Sequence, residues 1–275
     1  MRRVAKLAGL LLLLAACQAP PPPTPTLTRA FSAPTLEPSP QVLIRTSDEL
    51  YSATLSAGIS DPTAAALPRN APLPPLVLST DTAGVQSVVL SLAQGQVNGD
   101  LYVPAQEERV PAVLIVAQTR SAFASFAEAL RGAGLVSLVI DPRFSLSAEE
   151  MGFLVEILSE AGAVDPSHLA VLAELDHSET ALNACALTEL CDALILLSPQ
   201  WANLPNDALN AYLPRPVLVV AAQDDSVSFA AAVALVGAGA VQSAQTATGR
   251  GVGMLALDSQ LSGALIDWLQ AQWQG

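Results

Sequence analysis

The chain has 275 residues, 51% of them apolar and 13% charged, which is enough for one large domain with its own core. Its formal net charge is −13, and three of its 12 basic residues, Arg2, Arg3 and Lys6, lie in the first six positions, so the remainder is more acidic still. This balance argues against nucleic acid and against an anionic lipid surface as the main partner.

The chain opens with a basic stretch, "MRRVAK", and a short apolar run, "LAGLLLLLAA", too short to span a bilayer comfortably. The run ends in "LAAC", Leu14 to Cys17, which resembles the bacterial lipobox. That resemblance implies cleavage before Cys17, lipid on its thiol and a place in the bacterial cell envelope, outside the cytoplasm. An ordinary secretory signal with an incidental cysteine is the other reading. Gln18 follows, so the second position carries no Asp of the kind that suggests inner-membrane retention. Residues 20–40 hold eight prolines, which resist packing and favour an extended tether. "TSDELYSATLSA" carries a capping-box pattern, Thr46 to Glu49, and "DPTAAALPRNAPLPP" reads as loop. The expected organisation is a lipoprotein signal and lipobox over 1–17, a Pro-rich tether and loosely packed extension over 18–85, and one domain over 86–275.

From residue 86 the pattern is regular. "VQSVVLSLA" and "VNGDLYVPA" alternate around "QGQ" and predict an antiparallel pair. "PAVLIVA", "LVSLVI", "LAVLAE", "ALILLSP" and "PVLVVAA" are continuous apolar runs, as strands buried on both faces should be, and "VQSAQTAT" reads as the last strand. Helical patterns separate them: "AFASFAEALRGAG", "SAEEMGFLVEILSEAG" with a capping box from Ser147 to Glu150, "TALNACAL", a short helix near "NDALNAYL", "FAAAVALVGAG", and finally "LSGALIDWLQAQW". Alternating strands and helices predict an α/β architecture: a doubly wound, mainly parallel sheet with helices on both faces. Ligands of such sheets sit at the carboxyl ends of the strands. That singles out Gln118, Thr119 and Arg120; Asp141 and Arg143; Glu174 to His177; Ser198 to Trp201; Gln223 to Asp225; and Arg250. Cys185 and Cys191 are six apart at a helix end; a bridge is permitted outside the cytoplasm, but two separate buried thiols are the expectation.

These elements, in this order, resemble the α/β-hydrolase superfamily in its dienelactone-hydrolase or small-esterase form, over roughly residues 86–273. "FAEALRGAGLVSLVIDPR" resembles the family's first helix and fourth strand with its Asp-x-Arg. "VDPSHLAVLAELDHSETALNACA" resembles the approach to the nucleophile elbow, "RPVLVVAAQDDSVS" the strand and turn that deliver the acid, and "TGRGVGML" the loop that delivers the histidine.

The family uses Ser, then Asp or Glu, then His, in that chain order. Without gaps the elbow reads "AELDH", Ala173 to His177, with Leu175 at the nucleophile position. The acid position falls at Asp224, with Asp225 close by, and the histidine position at Arg250. Both histidines of the sequence, His168 and His177, precede the acid, so a triad in the family's order cannot form. A serine also needs a positioned imidazole to take its proton. A rival alignment takes Ser178, in "DHSET", as nucleophile, at the cost of breaking the match and placing Asp176 and Thr180 at the small flanks. A leucine gains nothing from a strained backbone, so the elbow is expected to be relaxed.

Glu174, Asp176, His177 and Glu179 crowd one turn, but a helix start with Asp176 or Ser178 as cap explains them better than a metal, and no metal or cofactor is expected. An Asp-Arg pair from Asp224 or Asp225 to Arg250 is expected to stand where Asp and His would meet; arginine stays protonated and is no general base. Gln118, Thr119, Glu174, Asp176, His177 and Asp225 are the ligand-binding candidates. The implied function is a non-catalytic binding or scaffold lipoprotein, partnered by the membrane through Cys17 and by a small ligand or an envelope protein. The alternative is a divergent carboxylic-ester hydrolase with an unorthodox site near Asp176–Ser178.

Overall fold

The computed structural model of the protein describes residues 78–106, 108–201, 203–239 and 241–274. The leader, Cys17, the proline-rich tether and the Thr46–Glu49 box lie outside the described residues. One eight-stranded sheet organises the rest, in the order β1-β2-β4-β3-β5-β6-β7-β8. Strands β1 (Gly84–Ser91) and β2 (Gln96–Val103) form an antiparallel hairpin, and β2 runs antiparallel to β4 (Val136–Ile140). The others, β3 (Val110–Val116), β5 (Val164–Glu174), β6 (Ala193–Leu197), β7 (Val217–Ala222) and β8 (Gln242–Thr246), extend the sheet in parallel from β4.

The apolar runs are continuous because both faces of the central strands are covered. Ala112, Leu114 and Val116 of β3 pack on one face, and Val113 and Ile115 on the other. Four helices cover the first face: α2 (Ala148–Ser159), α3 (His177–Leu187), α4 (Asn206–Tyr212) and α5 (Ser226–Ala238). Helices α1 (Ala124–Gly132), α6 (Gly253–Leu257) and α7 (Leu261–Gln272) cover the second. Ser147 and Glu150 close the capping box expected at the start of α2, with the Glu150 N–H donating to Ser147 Oγ at 3.1 Å. Leu261, Leu265, Trp268 and Leu269 of α7 are buried together. Among the described residues no helix is long and apolar enough to cross a membrane.

Three features differ from expectation. Leu78 is buried and Thr80 Oγ1 accepts the Ala163 N–H at 2.8 Å, so packing on the domain begins ahead of residue 86. Strand β5 starts at Val164 rather than near Leu169, because Val110 and Val164 pair before a register shift. Cys185 and Cys191 are not separate thiols but a disulfide. Helix α3 ends at Leu187 and the chain turns back to begin β6 at Ala193, which brings the two Cα atoms to 5.2 Å, inside bridging range.

Candidate functional site

Strand β5 delivers the elbow. Glu174 is its last residue, Leu175 turns the chain, and α3 begins at His177. Leu175 has φ 56°, a left-handed conformation that costs a side-chain-bearing residue about 1–2 kcal/mol. The surrounding backbone holds it there. Its N–H donates to the Leu197 carbonyl at 3.0 Å, continuing the β5–β6 ladder, and its own carbonyl accepts the N–H groups of Ser178 and Gln200, both at 3.2 Å. The expected relaxed elbow is therefore corrected: sheet and helix impose the turn whatever side chain stands at its tip. Leu175 is half-buried, and its Cγ lies near the face of Gly251.

Beneath the elbow the Glu174 carboxylate is 1% exposed. Its Oε1 accepts the Gln118 N–H at 2.7 Å, and its Oε2 accepts the Val252 N–H at 2.8 Å. Gln118 follows β3, and Val252 lies in the turn after β8. One side chain thus ties three strand ends together through backbone donors, each such bond to a charged acceptor contributing about 1.5–3 kcal/mol. Gly251 makes room for it. Its φ is 52°, and any Cβ there would run into Glu174 Oε2. The Gly251 N–H donates to Ser198 Oγ at 2.8 Å. Ser198, fully buried at the end of β6, is the other non-glycine described residue with positive φ, at 48°.

The Asp-Arg contact is made by Asp225: its Oδ2 lies 3.5 Å from Arg250 Nε. Asp224, at the aligned acid position, is exposed and makes no ion pair among the described residues. Asp225 also caps α5, accepting from the Ser228 N–H at 3.3 Å and the Ser228 hydroxyl at 2.7 Å. Arg250 is 57% exposed, so this pair is a loop tether of small energetic value.

The rival nucleophile faces the interior. Ser178 is fully buried in the first turn of α3, and its Oγ has no hydrogen-bond partner among the described residues. Neither Asp176 nor Ser178 caps the helix through its side chain: the Asp176 carboxylate instead accepts from the Gln118 side-chain amide. Thr119 is exposed and opens the short 3-10 turn Arg120–Phe123. Arg120 within that turn is held by Asp100 at 2.9 Å and Asp141 at 3.3 Å. Burial pushes the His177 imidazole below the usual histidine range, although Asp176 and Glu174 pull the other way, so it is mainly uncharged at neutral pH.

A cleft of about 270 Å³ opens beside the elbow, lined by Gln118, Arg143, Asp176, His177 and Thr180 with an apolar wall that includes Phe144. The structure therefore brings Gln118, Asp176 and His177 together around a cavity, sets Glu174 beneath it as an internal tie, and leaves Thr119, Asp224 and Asp225 away from it. Ser198, Gly251 and the Val252 N–H complete the strand-end network. A strand-end position marked Ser198 in the sequence; Gly251 and Val252 fall in the loop "TGRGVGML", where Arg250 alone was singled out.

Chemically, the elbow tip presents a hydrocarbon. The Gln118 N–H, the backbone donor that follows β3, is taken up by the Glu174 carboxylate. The face offers hydrogen-bond and charge partners for a ligand.

No family model and no curated protein sequence matches the chain. Solved structures do. Est1E from Butyrivibrio proteoclasticus is 15% identical, matching 69% of this chain and 99% of its own with a TM-score of 0.58. The esterase domain of a Rhodothermus marinus protein is 12% identical over 67% of this chain and 97% of its own, TM-score 0.56. An esterase of Pyrobaculum calidifontis is 13% identical over 71% and 88%, TM-score 0.55. With the strand order and the elbow, these similarities establish that the chain has the α/β-hydrolase fold.

Proposed function

We propose that this α/β-hydrolase-fold chain is a non-catalytic binding protein, held outside the cytoplasmic membrane by lipid on Cys17. The observation that carries the reading is Leu175: the strained elbow is intact, and the residue at its tip has no nucleophilic atom. The sequence agrees, since His177 and His168 both precede the acid turn and Arg250 stands in the loop that would supply a base. The buried tie from Glu174 to Gln118 and Val252 supports it further, because it takes up the donor that an oxyanion would use. The cleft beside the elbow supports ligand binding over a purely structural role. For the anchor, "LAAC" ending at Cys17 and the eight prolines of residues 20–40 are the support: a lipidated cysteine followed by a spacer that lifts the domain from the surface.

The test is direct. The full chain incubated with a serine-reactive phosphonate and with short acyl esters is expected to show neither labelling nor turnover. Stoichiometric labelling that disappears in S178A would overturn the reading in favour of an ester hydrolase. The anchor is tested separately by intact mass of chain recovered from membranes, where a diacylglyceryl addition at Cys17 is expected and is lost in C17S.

A further inference from the structure

The cleft beside the elbow holds two opposite charges that do not meet. Arg143, on the loop after β4, and Asp176, just before α3, both line it. They form no ion pair with each other, and Arg143 has no ion-pair or hydrogen-bond partner among the described residues. Among the described residues the Asp176 carboxylate accepts only from the neutral amide of Gln118. His177 beside it is held mainly uncharged by burial and does not neutralise it. In a chain with 25 acids and 12 bases, this cleft thus presents a guanidinium and a carboxylate side by side in its lining, neither of them ion-paired among the described residues.

We propose that this cleft binds a small zwitterion of the α-amino-acid class, its carboxylate on Arg143 and its ammonium on Asp176. The inference rests on the reading that this face binds without turning over. A guanidinium pairs with a carboxylate through two parallel N–H donors, whereas a carboxylate such as Asp176 takes an ammonium. A simple anion would meet Asp176 and a simple cation would meet Arg143, each an unfavourable like-charge contact, so the pair selects a ligand carrying both charges. Pro142, Phe144 and Leu146 give a short side chain an apolar wall, and Ser145 and Thr180 give it hydroxyl partners.

Calorimetric titration of the full chain, with a panel of free L- and D-α-amino acids and N-acetylglucosamine as an uncharged comparator, tests this. At least one amino acid is expected to bind. N-acetylation or methyl esterification of that amino acid should each weaken binding at least tenfold, as should R143Q and D176N. Both side chains are exposed, so the two variants should unfold at the wild-type midpoint. If a variant does not, the blocked ligands on wild-type chain decide. Absence of binding by every amino acid, binding that survives N-acetylation, or binding of the sugar alone overturns the inference. An ester-inert chain that binds no amino acid would overturn this inference only; labelling at a serine would overturn the reading beneath it.

Discussion

Glu174 Oε2 accepts the Val252 N–H at 2.8 Å, so a carboxylate at the end of β5 holds the turn that follows β8. The same group accepts the Gln118 N–H at 2.7 Å, and the residue is buried. Removing it should cost more than a surface acid would. E174A is expected to lose about 2–5 kcal/mol, since two buried N–H groups lose their acceptor. E174Q, which keeps one carbonyl acceptor, should lose less. Denaturant unfolding of the three chains checks this; equal midpoints would contradict it.

Gly251 is coupled to that carboxylate. A methyl group at this position meets Glu174 Oε2 and sits on a backbone with φ 52°. G251A is expected to destabilise by about 2–3 kcal/mol. Because part of that cost is the clash, G251A in an E174A background should cost less than in wild type. Full additivity in the double-mutant cycle would show that the two residues do not share the space.

The disulfide closes a six-residue separation at the end of α3. Loop entropy at that length gives about 2 kcal/mol. Non-reducing intact mass with a thiol probe should find Cys185 and Cys191 both unreactive, and C185A/C191A should unfold earlier by about that amount. Two free thiols in the native chain would return the pair to separate core cysteines.

Asp192 gives a pH dependence with a definite sign. Burial pushes its carboxyl up from 3.8 to about 6, while it accepts the Leu169 N–H at 2.8 Å. A carboxyl whose folded pKa lies above its unfolded one binds more protons in the native state. Its contribution is therefore present below about pH 4 and lost as pH rises through about 6. D192N keeps the acceptor and removes the charge. It should be more stable than wild type at pH 7, by about 2 kcal/mol after allowance for partial exposure, and similar to it near pH 4. A difference independent of pH would contradict the assignment.

The fold was legible because its signals are local and periodic. Apolar runs, caps at Ser147 and Glu150, and the hairpin around "QGQ" each depend on neighbours in sequence, and together they lead to the sheet the structure shows. The site was legible as positions and less so as contacts. Leu175 falls where gapless alignment put the elbow tip, but its strain was not readable, because that strain comes from the Leu197 carbonyl and the N–H groups of Ser178 and Gln200, not from leucine. Glu174 looked like a ligand group at a strand end. Its actual partners are backbone donors 56 and 78 residues away, which no side-chain pattern announces. Asp225, rather than Asp224, meets Arg250 because it is also the cap of α5, and that fixes which of two adjacent acids turns inward. Ser178 looked available beside His177; helix phase turns it into the core instead.

The central claim is that an intact elbow carries no nucleophile. It is tested most directly by intact-mass measurement of phosphonate labelling on wild type, S178A and L175S. The expected result is no adduct on wild type or S178A. L175S should also remain unlabelled, because a serine restored at the tip still lacks an imidazole to take its proton. An adduct on wild-type chain, mapped to Ser178 or Ser198, would contradict the account.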